Sequence, residues 1–209
     1  MKTASEEVTD LIFLSKWSSQ TLCAGAELGV FDCLSRDGTR TANDVAAEIG
    51  LDPTLLYRLL RALASLGLLN ETPGRRFNLT ERGAVLRTDA PRSLRYMAML
   101  EGGPEHWAIW KHVPAMVRDG RQNAFMREYG KMAFDHARAA NPDGYGAVFG
   151  RAMSGFSAIQ SAWALASGVE PSPKSDFEFC SDQTFQLGVI QRIIREHRLT
   201  GRTWRARSG

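Results

Sequence analysis

Cysteine is scarce in this sequence, and the three that occur are Cys23, Cys33 and Cys180. Their number is odd and none stands in a CxxC pair, which argues against a disulfide framework and against the usual cysteine zinc sites. We therefore expect reduced thiols that pack as small apolar side chains. The four histidines are scattered as well. Without metal-ligand or triad spacing, they predict surface or core roles and no metal site.

A membrane span and a strong net charge are also missing. No apolar run approaches the roughly 18 residues that a bilayer requires. Residues 1–7 include acidic side chains where a secretory signal would have an apolar core. We accordingly expect a cytoplasmic protein with no membrane partner. The formal net charge of +3 is too small by itself to indicate a nucleic-acid partner.

Glycine-rich phosphate loops are a third absence. Neither GxGxxG nor GxxxxGK[ST] occurs anywhere in the sequence. The pair Gly102-Gly103 is not such a loop, because no apolar strand precedes it and Pro104 follows at once.

Helical patterns are strong near the N-terminus. Apolar residues from Val8 to Leu34 recur at helical spacing and predict one or two helices, broken near Gly25 or Gly29. Thr41 then caps a second predicted helix of about three turns, which Gly50 ends.

A third helix is predicted from Pro53, which follows the capping residue Asp52, to a stop at Gly67. Polar residues occupy one of its faces. The opposite face is a leucine stripe that we expect in the core, formed by Leu55, Leu56, Leu59, Leu60, Leu63 and Leu66.

Residues 68–71 and 76–80 flank Pro73-Gly74 and predict a two-stranded hairpin. Helix, turn, helix and hairpin are the order of a winged helix, here residues 39–88. In a DNA-binding winged helix, the contacts would come from Tyr57, Arg58, Arg61, Arg75 and Arg76. Residues 39–88 hold seven arginines against five acids, so the charge available for phosphate binding is weak. The alternative is a solvated helix face.

Residues 91–165 are rich in aromatic side chains. Glycines and the segment Asn141-Pro142-Asp143-Gly144 divide them into about four predicted helices. Phe149, Met153 and Phe156 stand at i, i+4 and i+7 on one face of the last helix. Such a face either holds a flat aromatic ligand between rings and a thioether or packs as ordinary core.

Four segments carry a likeness to a known family, namely Ala26-Glu-Leu-Gly-Val-Phe-Asp-Cys-Leu34, residues 45–86, Glu101-Gly-Gly-Pro-Glu-His-Trp107 and Phe149-Gly-Arg-Ala-Met-Ser-Gly-Phe-Ser157. In this order they resemble the N-terminal part of the S-adenosylmethionine-dependent O-methyltransferases of the caffeate and acetylserotonin type. In that family the winged-helix region is a dimerisation module. The resemblance therefore implies that residues 8–34 form a subunit interface.

The resemblance also implies a site for a small aromatic acceptor. Matched by position, its substrate-binding side chains would be Tyr145, Phe149, Met153, Phe156 and Trp107. Ser157 would lie near the cofactor, S-adenosylmethionine. No catalytic residue is implied, because the family's histidine base belongs to a later segment with no counterpart in this sequence.

The chain departs from the family after residue 165. The family continues with an apolar strand that ends in Asp-x-Gly-x-Gly-x-Gly. Here residues 177–188 offer Asp182 without the glycine turn, and residues 192–209 hold six arginines against one acid. We expect no Rossmann-like domain and no binding of S-adenosylmethionine by this chain alone. Our hypothesis is a gene truncated or frameshifted between residues 165 and 177.

The sequence thus predicts a mostly α fold with a small β-hairpin. Its parts are a winged-helix dimerisation domain (1–90), a helical connector and acceptor-pocket wall (91–165) and a poorly ordered tail (166–209). The predicted function is the dimerisation and acceptor-binding portion of an O-methyltransferase for a small aromatic hydroxyl compound, truncated and inactive alone. The predicted partner is a second copy or a full-length relative. The alternative is a winged-helix transcription regulator that binds DNA.

Overall fold

The computed structural model of the chain describes residues 2–140 and 144–166, with side chains described as far as residue 157 in the last helix. These residues divide into two units. One unit contains residues up to 107 together with 144–162, and the other contains residues 108–140 together with 163–166. The predicted tail beyond residue 166, with Cys180 and Asp182, lies outside the described residues. The hypothesis of a truncated or frameshifted gene concerns that part of the chain.

The first unit begins with one long helix, α1 (Ala4–Glu27). The Thr3 hydroxyl accepts from the Glu6 amide, and the Glu6 carboxylate accepts from the Thr3 N–H at 2.7 Å, which is a capping box. Gly29 follows with φ 72°, a left-handed conformation that glycine adopts without strain. The predicted break near Gly29 is confirmed, whereas the helix continues through Gly25.

Two shorter helices follow with the predicted caps. Helix α2 (Ala42–Ile49) begins behind Thr41 and ends at Gly50, where φ is 70°. At 8 residues it spans about two turns, one fewer than predicted. Helix α3 (Pro53–Ser65) begins behind Asp52, whose carboxylate accepts a hydrogen bond from the third amide of the helix at 2.7 Å.

A small antiparallel sheet completes this module. Its strands are β1 (Arg40–Thr41), β2 (Leu69–Thr72) and β3 (Arg76–Leu79), in the order β1-β3-β2. Strands β2 and β3 are the predicted hairpin, turned by Gly74 and Arg75 with φ of 81° and 55°. Strand β1 was not predicted. In the part of the chain that the structure describes, these are all the strands, so no parallel sheet of the Rossmann type occurs there.

The core of the first unit lies between α1, α2, α3 and the sheet. Its largest fully buried side chains are Val30, Phe31, Leu34, Val45, Leu60, Leu63, Leu69 and Phe77. Leu56, Leu60 and Leu63 of the predicted leucine stripe are buried, and Leu59 and Leu66 are partly buried against the same core. Leu55 is an exception, because 62% of it is exposed. Its position lies about 100° around the helix from Leu56, which turns it away from the buried face.

Seven further helices follow the hairpin in the described residues. They are α4 (Glu81–Ala84), α5 (Arg95–Gly102), α6 (Pro104–Ile109), α7 (Val113–Asp119), α8 (Ala124–Tyr129), α9 (Ala133–Ala139) and α10 (Tyr145–Ala166), with a 3₁₀ turn at Trp110–His112. The estimate of about four helices after residue 91 was therefore too low. Gly120 and Gly130 end two of them in left-handed conformations. Within the described ranges, no helix combines the length and apolarity needed to cross a bilayer.

Helices α1 and α5 cross where a glycine meets a cysteine. A Cβ added at Gly102 would lie 2.4 Å from the Cβ of Cys23, so no larger residue fits without a shift. The Gln20 amide donates to the Gly102 carbonyl at 2.9 Å and holds the crossing on one side. Burial raises the pKa of the Cys23 thiol, which keeps it protonated and unreactive.

Replacing Gly102 by alanine should destabilise the protein by about 1–3 kcal/mol, because the added methyl group must separate two packed helices. Thermal unfolding followed by circular dichroism would measure the loss. Gly150→Ala is the matched control, since nothing lies within 4 Å of an added Cβ there. The control should leave stability unchanged or raise it slightly. Equal melting temperatures for the two variants would contradict a tight α1–α5 crossing.

Candidate functional site

The N-terminal half of α1 exposes large apolar side chains. Residues 11–17 are all exposed, and the exposed fraction reaches 72% at Leu11. The side chains concerned, which we call the α1 apolar segment, are Val8, Leu11, Ile12, Phe13, Leu14 and Trp17. At about 100° per residue they point to all sides of the helix. A helix that is apolar all round is a helix that becomes buried.

The C-terminal half of α1 is anchored in the chain's own core. Cys23 and Ala26 are buried, and a Cβ at Gly25 would lie 3.0 Å from Leu63. The residues after the helix, Val30 to Leu34, also contribute to this core. Of the interface predicted over residues 8–34, the continuous stretch that remains open to a partner is therefore residues 8–17.

Trp107 lies beside α1. The Lys16 ammonium is 5.8 Å from the centre of the Trp107 ring, within the range of a cation–π contact. On α1 itself, the rings of Phe13 and Trp17 are 5.1 Å apart. Because 40% of Trp107 is exposed, its ring extends the apolar surface of α1. Trp107 stands on α6, whereas the other predicted acceptor residues lie on α10.

The other predicted substrate-binding residues lie along one face of α10. Tyr145 is buried, Phe149, Met153 and Phe156 are half-buried, and the rings of Tyr145 and Phe149 are 5.9 Å apart. Their spacing of four, four and three residues keeps them on the same side of the helix. Ser157, predicted near the cofactor, is exposed on the next position of α10.

His106 is part of this group, although the sequence predicted only a surface or core role for it. It is 2% exposed, and its Nε2 lies 3.1 Å from the hydroxyl oxygen of Tyr145. Its Nδ1 lies 3.5 Å from a carboxylate oxygen of Glu101. The core role is thus confirmed, and the contact with Tyr145 is new. The sequence feature that could have drawn attention to His106 is its position inside Glu101–Trp107, one of the four segments that resemble the family.

Helix α10 is held against the start of α5 by a second set of contacts. The Arg151 guanidinium donates to the Tyr96 hydroxyl at 2.6 Å and lies 5.0 Å from the centre of its ring. A Cβ added at Gly155 would be 2.9 Å from the Ser93 carbonyl oxygen, so the backbones touch there. These contacts set the rotation of α10 about its axis, and with it the direction of the aromatic face.

The arginines considered for DNA contact are partly engaged within the chain. Arg61 pairs with Glu71 at 3.3 Å, and the Tyr57 hydroxyl donates to the same carboxylate at 3.1 Å. Arg76 donates to the Thr39 carbonyl at 2.6 Å. The Arg75 guanidinium lies 5.3 Å from the centre of the Tyr57 ring. All four arginines of this set, Arg58 included, are nevertheless exposed. Internal pairing lowers a positive potential that the composition already showed to be weak.

Within residues 2–140 and 144–166, no group of three or more His, Cys, Asp or Glu side chains is placed to hold a metal ion. None of the described strands leads through a glycine turn into a helix, the arrangement that a nucleotide-like cofactor requires.

The chain is similar in sequence to known O-methyltransferases. Residues 11–89 match the family model of the O-methyltransferase dimerisation domain. Over 157 residues the chain is 33% identical to the phenazine O-methyltransferase PhzM of Lysobacter antibioticus, a match that covers 75% of this chain and 44% of that protein. It is 35% identical over 133 residues to the O-demethylpuromycin-O-methyltransferase of Streptomyces alboniger, covering 64% of this chain and 34% of the relative.

The chain also superposes on solved structures of methyltransferases. CalO1, a methyltransferase in calicheamicin biosynthesis whose structure holds SAH, superposes with a TM-score of 0.67 at 27% identity. The match covers 82% of this chain and 50% of CalO1. Our chain thus spans half or less of the length of the relatives it matches.

Proposed function

Since this chain belongs to the S-adenosylmethionine-dependent O-methyltransferase family and carries its dimerisation domain, we propose that it acts as the subunit-pairing and acceptor-binding portion of such an enzyme. The observation that carries the proposal is the α1 apolar segment. Five of its six side chains lie inside the matched range, and the described residues leave the segment uncovered. Pairing through this segment supplies the missing cover.

The size of the segment supports a stable pair. Fully burying one large apolar side chain contributes about 1.5–3 kcal/mol. Because these six side chains have exposed fractions of 45–72%, burying the rest of them contributes about 5–10 kcal/mol from each copy. Association costs about 4–15 kcal/mol in lost freedom of motion. In a two-fold dimer the same patch is buried on both copies, so the gain exceeds that cost over most of its range.

The composition of the segment supports pairing as well. Residues 11–17 contain a single charged side chain, Lys16, and two aromatic rings. Charged residues are depleted and aromatic residues enriched at the centres of protein interfaces. We propose a second copy of this chain as the partner. A full-length relative with the same dimerisation domain is the other arrangement, because it would offer the same surface.

The acceptor-binding role is supported by the face of α10. Two phenylalanine rings, a thioether and a tyrosine ring follow one another along Tyr145–Phe156, as expected where a flat ligand is held by dispersion contacts. The relatives named above methylate a phenazine and O-demethylpuromycin, according to their names. We therefore propose a small aromatic hydroxyl compound as the acceptor of the enzyme in which these residues work.

Methyl transfer requires S-adenosylmethionine, and we propose that this chain does not bind it unaided. The support is the lack of a glycine fingerprint in residues 1–209 and of a strand–turn–helix unit among the described residues. The acceptor wall of α10 would then work together with a cofactor-binding domain.

Replacing Leu11 by aspartate should convert a dimer into a monomer, because it places a charge at the most exposed point of the α1 apolar segment. Sedimentation velocity on the full chain measures the change. Leu55→Asp is the matched control, since Leu55 is 62% exposed but lies on α3. It should remain dimeric. A wild-type chain that sediments as a monomer, or loss of pairing in the control alone, would refute the proposed interface.

Isothermal titration of the chain with S-adenosylmethionine should give no saturable heat, which means a Kd weaker than about 1 mM. A full-length methyltransferase relative, titrated in parallel, is the positive control. Saturable binding to this chain would show that residues outside the described ranges form a cofactor site, and the proposal of an unaided chain without cofactor would fail.

A further inference from the structure

The chain that leads from α5 into α6 runs along α1 towards the N-terminal end of that helix. Gly102, at the end of α5, lies against Cys23 and accepts a hydrogen bond from the Gln20 amide at 2.9 Å. One turn earlier on α1, the Lys16 ammonium is 5.8 Å from the centre of the Trp107 ring on α6. Among the described residues, Trp107 therefore marks the point where the chain's own cover of α1 ends on this side.

Beyond Trp107 the same side of α1 is exposed. Ile12 and Phe13 precede Lys16 by four and three residues, the spacing that places side chains of a helix next to one another. Their exposed fractions are 61% and 45%, and that of Trp107 is 40%. Ile12 and Phe13 on one helix and Trp107 on the other thus border a step in the surface, which we call the α1–α6 corner.

The α1–α6 corner continues the surface proposed for subunit pairing. Ile12 and Phe13 belong to the α1 apolar segment, and Ile12 lies only about 6 Å along the helix axis from Lys16, the residue that contacts Trp107. A partner helix that covers Ile12 and Phe13 from the side of α6 is wide enough, at about 10 Å, to reach the Trp107 ring as well.

The chemistry of the corner favours a second copy of this chain as its occupant. Lys16 is the single charged side chain in residues 11–17, so an acidic partner would find one cation and a largely apolar surface. In a two-fold dimer the same patch is buried on both copies. The partner's own α1 apolar segment is therefore brought to this surface, and its large side chains match the apolar character of the corner.

We infer that the α1 apolar segment of a second copy packs into the α1–α6 corner and covers Trp107. The inference rests on the pairing function proposed above, and it extends the interface to a helix outside residues 11–89, the matched dimerisation domain. It assigns Trp107 to the subunit interface, whereas the resemblance implies the acceptor site. The preceding residue, His106, lies 3.1 Å from the Tyr145 hydroxyl, so α6 joins the interface to α10.

Fluorine NMR on the full chain tests whether the partner covers Trp107. The five tryptophans are labelled with 5-fluorotryptophan and assigned by single Trp→Phe variants. The change in each ¹⁹F shift between H₂O and D₂O reports solvent exposure. At Trp107 this change should be smaller in the wild-type dimer than in the monomeric Leu11→Asp variant. Trp17, 57% exposed on α1, should respond in the same way, and Trp110, 44% exposed but outside the corner, should not respond.

The variant Trp107→Ala tests how much the ring contributes to pairing. It should raise the Kd of the dimer by at least about tenfold, because tryptophan is among the residues whose truncation weakens interfaces most. Sedimentation velocity over a dilution series measures this Kd. Trp110→Ala is the matched control, since it removes a ring of similar exposure, and it should change the Kd by no more than about twofold.

The outcomes separate this inference from the pairing function. A dimer in which Trp17 becomes protected while Trp107 stays exposed overturns the inference and leaves pairing through α1 intact. An unchanged Kd in Trp107→Ala overturns it as well. Equal protection of Trp107 and Trp110 would show a change that is not confined to the corner, which also contradicts it. If the wild type is a monomer at every concentration, the pairing function itself fails and this inference fails with it.

Discussion

The position of the exposed N-terminal half of α1 depends on how the C-terminal half of the same helix packs in the core. Gly25 brings the helix into close contact with Leu63, and Gly102 brings α5 so close to Cys23 that an added Cβ would not fit without a shift. Because these contacts are between backbone and packed core, they fix the direction in which the first four turns of α1 leave the core. The apolar segment is thus presented on a firm base. A surface that is pre-positioned loses less freedom on binding than one that must first become ordered.

The two surfaces of the first unit share one structural frame. Asp32, in the turn after α1, pairs with Arg95 at 2.5 Å, and the Arg95 guanidinium lies 5.9 Å from the ring of Tyr96. Arg151 of α10 donates to the hydroxyl of that same Tyr96. A short chain of ionic and aromatic contacts therefore leads from the base of the pairing helix to the helix with the aromatic face. In the proposed enzyme, pairing and acceptor binding would draw on the same framework.

The local features of this fold could be predicted, and the long-range ones only in part. Thr41 and Asp52 act on amides within three residues, so their capping roles follow from short sequence patterns. Strand β1 has two residues and depends on its pairing with β3, which no local pattern shows. The row on α10 follows from helical spacing. The contact of His106 with Tyr145 joins residues 39 positions apart, and it required the fold to be known.

The pairing of Arg61 with Glu71 weakens the case for DNA binding by α3. The helix that a DNA-binding winged helix would lay in the major groove has part of its positive charge bound to its own hairpin. The uncovered apolar side chains of α1, meanwhile, have a cost in the cell. A newly made copy that has not met a partner displays six large apolar side chains, a surface that chaperones and proteases recognise. The steady-state amount of this protein should therefore rise more steeply than its rate of synthesis, since only assembled copies escape degradation.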